Sequence, residues 1–309
     1  MNLWSTKSPN PLFNWGESPT IFYEIKNWYS PFEKGARGIL NKKLNRMKAI
    51  NQKTIAIIPA RGGSVSIPRK NIKKLGNIPL IAYSIEAALE SNYIDRVIVS
   101  TDDKEIAQVA IDHGAEVPFI RPGQLAQNDT TDLPVFQHAI TWLEENEMYK
   151  PDWIIQLRPT SPFRPQGMID HAFAKILTNN SDSLRCVTPS GENPYKMWSI
   201  QNGLLQQLIQ TGFKEPYNMP RQQLPETYWQ TGHLEIIHYN TIMKKNSMTG
   251  DIIQPYVIDP KFVIDLDNMV QWQYAEFLLS EIKQKIVMPG EHSPVLQISS
   301  HHGEYLIGY

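Results

Sequence analysis

Cysteine is nearly missing from this chain: 309 residues carry one, Cys186. A single thiol builds no disulfide framework and no multi-cysteine zinc site. It sits in the apolar run Leu184-Arg-Cys-Val187, the setting of a buried structural thiol rather than a nucleophile. Net charge is nearly missing too. Thirty Lys and Arg face 31 Asp and Glu, leaving −1. That balance excludes a nucleic-acid binder driven by counterion release. The chain nowhere holds the roughly 20 consecutive apolar residues of a membrane span. It also lacks the apolar core of a signal peptide. A soluble, reducing, cytoplasmic setting is the simplest expectation. With 41% hydrophobic residues, the chain can bury the core of one domain plus an appendage.

Two familiar nucleotide-gripping motifs are also missing. The P-loop needs Gly-x-x-x-x-Gly-Lys-Ser/Thr, and no lysine follows a glycine at that spacing. The dinucleotide fingerprint needs three glycines opening directly into a helix. Here Pro68 intervenes, and helical spacing resumes only near Pro79. Hydride transfer is therefore disfavoured.

What stands in their place is Ile55-Ala-Ile-Ile-Pro-Ala-Arg-Gly-Gly-Ser64-Val-Ser-Ile-Pro-Arg-Lys70-Asn71. Ile55 to Ile58 is short, apolar and without alternation, as in a strand buried on both faces. Gly62 and Gly63 permit a tight turn and bring backbone N–H groups close to an anion. Arg61, Arg69 and Lys70 add charges suited to a triphosphate. A surface turn with solvated cations is the alternative for such a stretch.

This segment resembles the opening of the N-acylneuraminate cytidylyltransferases, also called CMP-sialic acid synthetases. Those begin with a strand and then Ala-Arg-Gly-Gly-Ser-Lys-Gly-Ile-Pro-Arg-Lys-Asn or close variants. This chain differs at Val65 and Ser66, where Lys-Gly is usual, so one phosphate-facing cation is missing. The resemblance runs over about residues 54–285 with its motifs in order. It implies a nucleotide-diphospho-sugar transferase-like variant of the Rossmann fold.

From Thr54 the pattern alternates strand and helix. Strands are expected at Arg96–Ser100, Val117–Ile120 and Trp153–Leu157, with helices at Pro79–Leu89, Lys104–His113, Asp132–Glu147 and Gln166–Leu177. Asp102 or Asp103 caps the second helix and Gly114 stops it. This rhythm predicts an α/β fold: a mostly parallel mixed sheet flanked by helices, with right-handed crossovers. Functional residues then gather at the carboxyl ends of strands. After Pro189 the rhythm breaks. Residues 190–230 read as an excursion that leaves the sheet and contacts a second subunit. Leu234–Tyr239 and Phe262–Asp267 return as strands, and a helix spans about 270–284.

The catalytic domain is placed at residues 47–290. Residues 1–46 carry aromatics among Pro, Asn and Ser, and then a basic run. Two readings stay open there: a docking arm, or a natural start at Met47. The tail 291–309 contains His301-His302 without acids or thiols that complete a ligand set.

Four further stretches carry chemistry. In Phe262-Val-Ile-Asp265-Leu-Asp267, period two on a strand puts both carboxylates on one face, about 6.5 Å apart. Such a pair suits a hard cation such as Mg2+. Solvated acids at a strand end, or Asp267 as a helix N-cap, are the alternatives, and the resemblance favours the metal. In Ile155-Gln-Leu-Arg158-Pro-Thr-Ser161-Pro-Phe-Arg164, two prolines stiffen a turn. Relatives read Leu-Leu-Gln-Pro-Thr-Ser-Pro-Leu-Arg there, with the glutamine on the acceptor sugar. Arg158 takes that place here, and its fork can hold a carboxylate. Phe119-Ile-Arg121-Pro-Gly-Gln-Leu-Ala126 resembles the family's nucleobase loop. Pro220-Arg221-Gln-Gln-Leu-Pro225 matches a segment with a sugar-side arginine. Thr231, His233 and Glu235 share a strand face by period two, against the alternative of a polar edge strand.

The resemblance thus implies a CTP-dependent nucleotidyltransferase acting on a sialic-type nonulosonic 2-keto sugar acid. Arg61, Lys70, Asp265 and Asp267 are the expected catalytic residues, with Mg2+ on the two aspartates. Ala60, Arg61, Gly62, Gly63, Ser64, Lys70, Asn71, Arg121 and Ala126 are expected around the nucleotide. Arg158, Ser161, Arg221, Thr231, His233 and Glu235 are expected around the sugar. A homodimer is expected, with no nucleic acid or membrane partner. A sibling enzyme with another base or sugar phosphate, or a non-catalytic nucleotide-binding homologue, are the alternatives.

Overall fold

The computed structural model of the protein describes residues 52–287. The expected extension at 1–46 and the tail at 291–309 lie outside the described residues. The first strand, β1 (Thr54–Pro59), is an interior strand of a six-stranded sheet. Its neighbours are β4 (Arg96–Ser100) and β5 (Trp153–Gln156), both parallel to it. Next comes β9 (Tyr228–His238), antiparallel to β5 and to β6 (Ser183–Pro189). The parallel edge strand β10 (Ile253–Val257) completes the order β10-β6-β9-β5-β1-β4.

The lack of alternation in β1 has a simple cause, since helices cover both sheet faces. Ala56 and Ile58 join one core with α1 (Leu80–Glu90), α2 (Lys104–Asp112) and α4 (Met168–Ile176). Ile55 and Ile57 join another with α3 (Asp132–Glu147) and α5 (Tyr239–Met243). Asp103 caps α2, accepting from the Glu105 and Ile106 amides at 2.9 and 3.0 Å. Gly114, at φ +89, ends that helix segment in the left-handed region.

A third core decides where the chemistry sits. It joins Ile67 from the loop after β1, Leu75 from the small hairpin β2 (Lys74–Leu75) and β3 (Ile78–Pro79), and Phe163 from the turn after β5. Ile264 and Leu266, and Trp272 on α6 (Met269–Val287), complete it. Burying each large apolar side chain is worth about 1.5–3 kcal/mol. This cluster therefore ties residues near 67 to residues near 265, far apart in the chain.

The excursion does leave the main sheet. It forms its own hairpin, β7 (Trp198–Gln201) with β8 (Leu204–Gln207), among 3-10 turns. Three expectations need correction. Val117–Ile120 is not a strand: Glu116 makes one bridge to Ile98, and Pro118, which has no N–H, follows closely. Phe262–Asp267 is not a strand either. After a 3-10 turn at Pro260–Phe262 it lies outside the sheet; its Leu266 N–H bonds the Thr160 carbonyl at 2.9 Å, and its Asp267 N–H turns back to the Asp265 carbonyl at 3.1 Å. Burial still alternates, with Ile264 and Leu266 buried and Asp267 exposed. Finally, β9 is an interior strand, not an edge. It is also bulged: Val187 pairs Gln230 and Arg185 pairs Glu235, so two steps on β6 face five on β9. Three extra residues reverse the parity, and the shared face expected for Thr231, His233 and Glu235 does not hold across the bulge.

Candidate active site

Strands β1, β4 and β5 point the same way, so the loops that follow them meet at one end of the sheet. There they enclose a cleft of about 280 Å³. Its walls include Arg61, Ser64, Lys70 and Asn71 after β1, Arg121 after β4, and Arg158 to Thr160 after β5. Four cations and one acid, Asp132, line it among the described residues. That imbalance favours a polyanionic occupant.

Each part is braced by a partner. Arg61 Nη1 donates to the Gln127 carbonyl at 2.8 Å, bridging the cleft mouth. Asn71 Nδ2 donates to the Arg61 carbonyl at 2.9 Å, holding the loop's curve. The Gly62 N–H donates to Asp102 Oδ1 at 2.9 Å. Neither Gly62 nor Gly63 uses a left-handed φ; that conformation falls to Arg69, at φ +56. Gly62 is small for another reason, since a Cβ there would lie 2.7 Å from Asp103 Oδ2. Arg69 is not a phosphate cation in this arrangement. It pairs with Asp103 and Glu105 at the start of α2, and its hydrogen bond holds the Asp103 carboxyl below the usual range. Ala60 is fully buried, its N–H committed to the Ser100 carbonyl.

Arg121 is buried too. Its guanidinium donates to the Ser100 carbonyl, and to the Leu125 carbonyl at 3.2 Å. It thus shapes the loop that turns through Gly123–Leu125 and Ala126. Burial lowers its pKa, and Arg61 lowers it further.

The acidic segment arrives from the far end of the chain. Lys70 Nζ donates to the Leu266 carbonyl at 2.8 Å and lies 3.3 Å from Asp267 Oδ1. Asp265 is half-buried, and its Oδ1 is buried without a hydrogen-bond partner. Burial raises the Asp265 pKa against a hydrogen bond from Thr160, and the neighbouring Asp267 raises it further.

The residues expected around a sugar divide. Arg158 faces the cleft, paired with Asp132 and 3.7 Å from Glu235 Oε1. Glu235 is nearly buried and held by Arg185 at 2.7 Å. Ser161 and His233 have no exposed surface, so neither offers an atom to the cleft. His233 Nε2 bonds the Phe262 carbonyl at 3.0 Å, and burial, then Arg164, push its pKa down to about 3. Neutral, it serves the floor rather than a sugar. Thr231 is buried. Arg221 is exposed on the excursion, bonding the Ser190 carbonyl, and is not among the residues lining the cleft.

Sequence reasoning missed Gln127, Asn128, Thr130, Asp132 and Thr160 as cleft residues. Asp132 was read only as a helix start, and residues 127–131 separate it from the nucleobase-loop motif that ends at Ala126. Its place next to a cationic turn has no local sequence signal.

Known proteins resemble this chain over most of its described length. Residues 55–248 match the family model described as Cytidylyltransferase. The chain is 32% identical to the pseudaminic acid cytidylyltransferase of Campylobacter jejuni, over 73% of this chain and 96% of that protein. It is 30% identical to the CMP-N,N'-diacetyllegionaminic acid synthase of Legionella pneumophila, over 76% of this chain and 99% of that one. The solved CMP:2-keto-3-deoxy-manno-octonic acid synthetase complexed with CTP superposes with a TM-score of 0.54. That match covers 74% of this chain and 99% of the other at 15% identity, a likeness of fold.

Proposed function

The chain belongs to the cytidylyltransferase family, and from that premise we propose that it transfers CMP from CTP to the anomeric hydroxyl of a sialic-type nonulosonic 2-keto sugar acid. The observation that carries this is the meeting of Lys70 with Asp267, 197 residues apart in sequence, at the edge of a cationic cleft. A triphosphate lying along Arg61, Ser64 and Lys70 would place its α-phosphorus near the acidic segment.

In the reaction the anomeric oxygen forms a bond to the α-phosphorus in line with the departing group. The bond from that phosphorus to the bridging oxygen breaks, and its electron pair leaves with pyrophosphate. The hydroxyl proton passes to water; no side chain is assigned as a separate base. Arg61 and the loop backbone hold the phosphates, and Lys70 offsets charge developing on the transferred and leaving groups. Catalysis then rests on positioning rather than on a covalent intermediate. Arg158 is assigned to the acceptor carboxylate, with Glu235 fixing its direction.

Mg2+ is the proposed cofactor, and the donor set fits it. Asp265 and Asp267 offer hard oxygens two residues apart, one of them orphaned and buried. No group of three or more His, Cys, Asp or Glu suited to a metal occurs among the described residues. Mg2+ commonly uses one or two carboxylates together with substrate phosphates. Bound there, such an ion supplies charge neutralisation and polarisation of the phosphate.

A homodimer through the excursion belongs to the same proposal, because Ile200, Leu204 and Leu205 expose 74%, 66% and 58% of their surface. A cytoplasmic site of action belongs to it as well; among the described residues no helix is long and apolar enough to cross a membrane.

Pyrophosphate release, measured with each NTP against a panel of nonulosonic acids and sugar 1-phosphates, tests the function. CTP with a nonulosonic acid is expected to turn over. Turnover with GTP and a sugar 1-phosphate, but not with CTP, overturns the proposal. Nucleotide binding without any turnover replaces it with a non-catalytic homologue.

A further inference from the structure

Arg164 stands out behind the turn that lines the cleft. It is 3% exposed, and none of its hydrogen bonds goes to a carboxylate. Nε donates to the His233 carbonyl at 2.7 Å, Nη1 to Ser84 Oγ at 3.0 Å, and Nη2 to the Arg158 carbonyl at 2.8 Å. Burial drives its pKa down. Taking a charge out of water without an opposite charge is costly, and a fold keeps such a group only where its bonds matter.

Those three bonds join three separate elements. Ser84 lies on α1, His233 lies in the bulge of β9, and Arg158 opens the turn whose residues line the cleft. The same turn is pinned from the other side. The Arg158 N–H meets the Gly232 carbonyl at 3.3 Å, and a Cβ on Gly232 would lie 2.9 Å from Arg158 Cδ and 2.7 Å from Ser161 Oγ. Thr160 in turn accepts from the Leu266 N–H at 2.9 Å and bonds Asp265. The Arg158–Thr160 turn therefore has Arg158 facing the cleft and Thr160 facing the acidic segment, with Arg164 as its internal anchor. The planar fork suits this task, since it reaches divergent acceptors with fixed angles.

We propose that Arg164 is a positioning residue: its buried guanidinium locks the β9 bulge and the Arg158 turn together, and so sets the aim of Arg158 in the acceptor half of the cleft. Its neutral acceptors matter here. A carboxylate partner would cancel the charge beneath the floor, whereas carbonyls and a hydroxyl hold the fork and leave the charge in place. Arg164 acts through Arg158 and touches no reactant. The kinetic part of this inference rests on the function proposed above; the structural part does not.

The test compares the full chain with Arg164→Lys and Arg164→Met. Lys keeps charge and approximate length but loses the fork; Met loses both. Crystal structures of both variants read the positioning directly. A displaced Arg158 side chain, with the pair to Asp132 lost, is expected in Met and in part in Lys. With CTP and an accepted nonulosonic acid, the acceptor KM is expected to rise about tenfold or more in Met and less in Lys. CTP affinity by calorimetry is expected to stay within about twofold. An undisplaced Arg158 in both variants overturns the inference, as does an acceptor KM within about twofold of the parent in both. Equal losses in CTP affinity and acceptor KM also overturn it, because they report general disruption. If Met fails to fold, Ser84→Ala removes one of the three bonds from outside the cleft and is expected to raise the acceptor KM by a smaller factor. No turnover in the parent with any acceptor counts against the proposed function, while the crystallographic comparison still decides the role of Arg164.

Discussion

The adjacent glycines Gly62 and Gly63 in the loop after β1 should respond differently to the same methyl group. In Gly62→Ala the new Cβ would lie 2.7 Å from Asp103 Oδ2 and 2.9 Å from Asp103 Cβ. Ordinary contact begins near 3.4 Å, so the two must part by about 0.5–0.7 Å. Asp103 cannot swing aside freely, since it caps α2 through two amides and pairs with Arg69. The loop must yield, or the cap must. Yielding of the loop lengthens the Gly62 N–H bond to Asp102 and moves Arg61 and Ser64 within the cleft. Loss of the cap costs about 1 kcal/mol, and overpacking about 1–3 kcal/mol. A misplacement near 1 Å at a reacting site can cost about a hundredfold, so kcat/KM for CTP should fall about tenfold or more. Gly63→Ala is the control. Its Cβ meets nothing within 4 Å and its φ is not left-handed, so it should stay within about 0.5 kcal/mol of the parent. Urea titration measures the stability of both variants, and the rate of CTP-dependent pyrophosphate release measures kcat/KM. Equal behaviour of the two variants, in either direction, refutes the steric reasoning.

The remaining expectations concern the reacting groups. Asp265→Asn should abolish Mg2+-dependent pyrophosphate release, and activity within about twofold of the parent refutes the metal assignment. The same change should not destabilise the protein at neutral pH. A carboxyl whose pKa is raised by burial stabilises the fold only while protonated, and that contribution fades as pH rises from the unfolded carboxyl range through the raised value. Thermal melts should therefore find Asp265→Asn at least as stable as the parent at pH 7, with the difference shrinking in acid. Lys70→Ala should lower kcat far more than CTP affinity, and equal losses in both refute a transition-state role. Arg158→Gln should change the acceptor KM and leave CTP binding within about twofold, and a fall in CTP affinity instead assigns Arg158 to the nucleotide.

Local signals account for what was legible in the sequence. β4 was expected at the residues it occupies, and α3 begins at Asp132 as read. These elements announce themselves through short-range pattern and caps. β10 was missed because Pro255 argues against a strand; the structure tolerates it at a sheet edge, where one side of the backbone needs no donor. The bulge in β9 was invisible because register belongs to the pair, not to the strand. Asp265 and Asp267 were correctly brought near Lys70, but by a mistaken route. No strand presents them; Ile264 and Leu266 dock into the third core, which leaves Asp267 exposed and Asp265 half-buried between them. The order of motifs carried that inference, and local geometry did not.

The departure at Val65 and Ser66 can now be weighed against the whole cleft. Val65 exposes 74% of its surface and lies outside the lining residues, whereas Ser64 lines the wall. The positive field comes instead from Arg61, Lys70, Arg121 and Arg158, on three loops that separate strands assemble. Relative to the pattern the sequence resembles, one cation is missing from the first loop and one has appeared at Arg158 in the wall after β5. Across these two places the cation lost from the loop after β1 is matched by the one gained at Arg158, in the half of the cleft proposed for the acceptor. A field supplied by several loops tolerates the loss of any one cation far better than a single-loop grip would, because each remaining charge keeps its own braces. What such a field cannot absorb is a change in aim, since Arg158 is held by Asp132 on one side and faces Glu235 on the other. Specificity for the acceptor should therefore be more sensitive than CTP binding to substitutions in this neighbourhood.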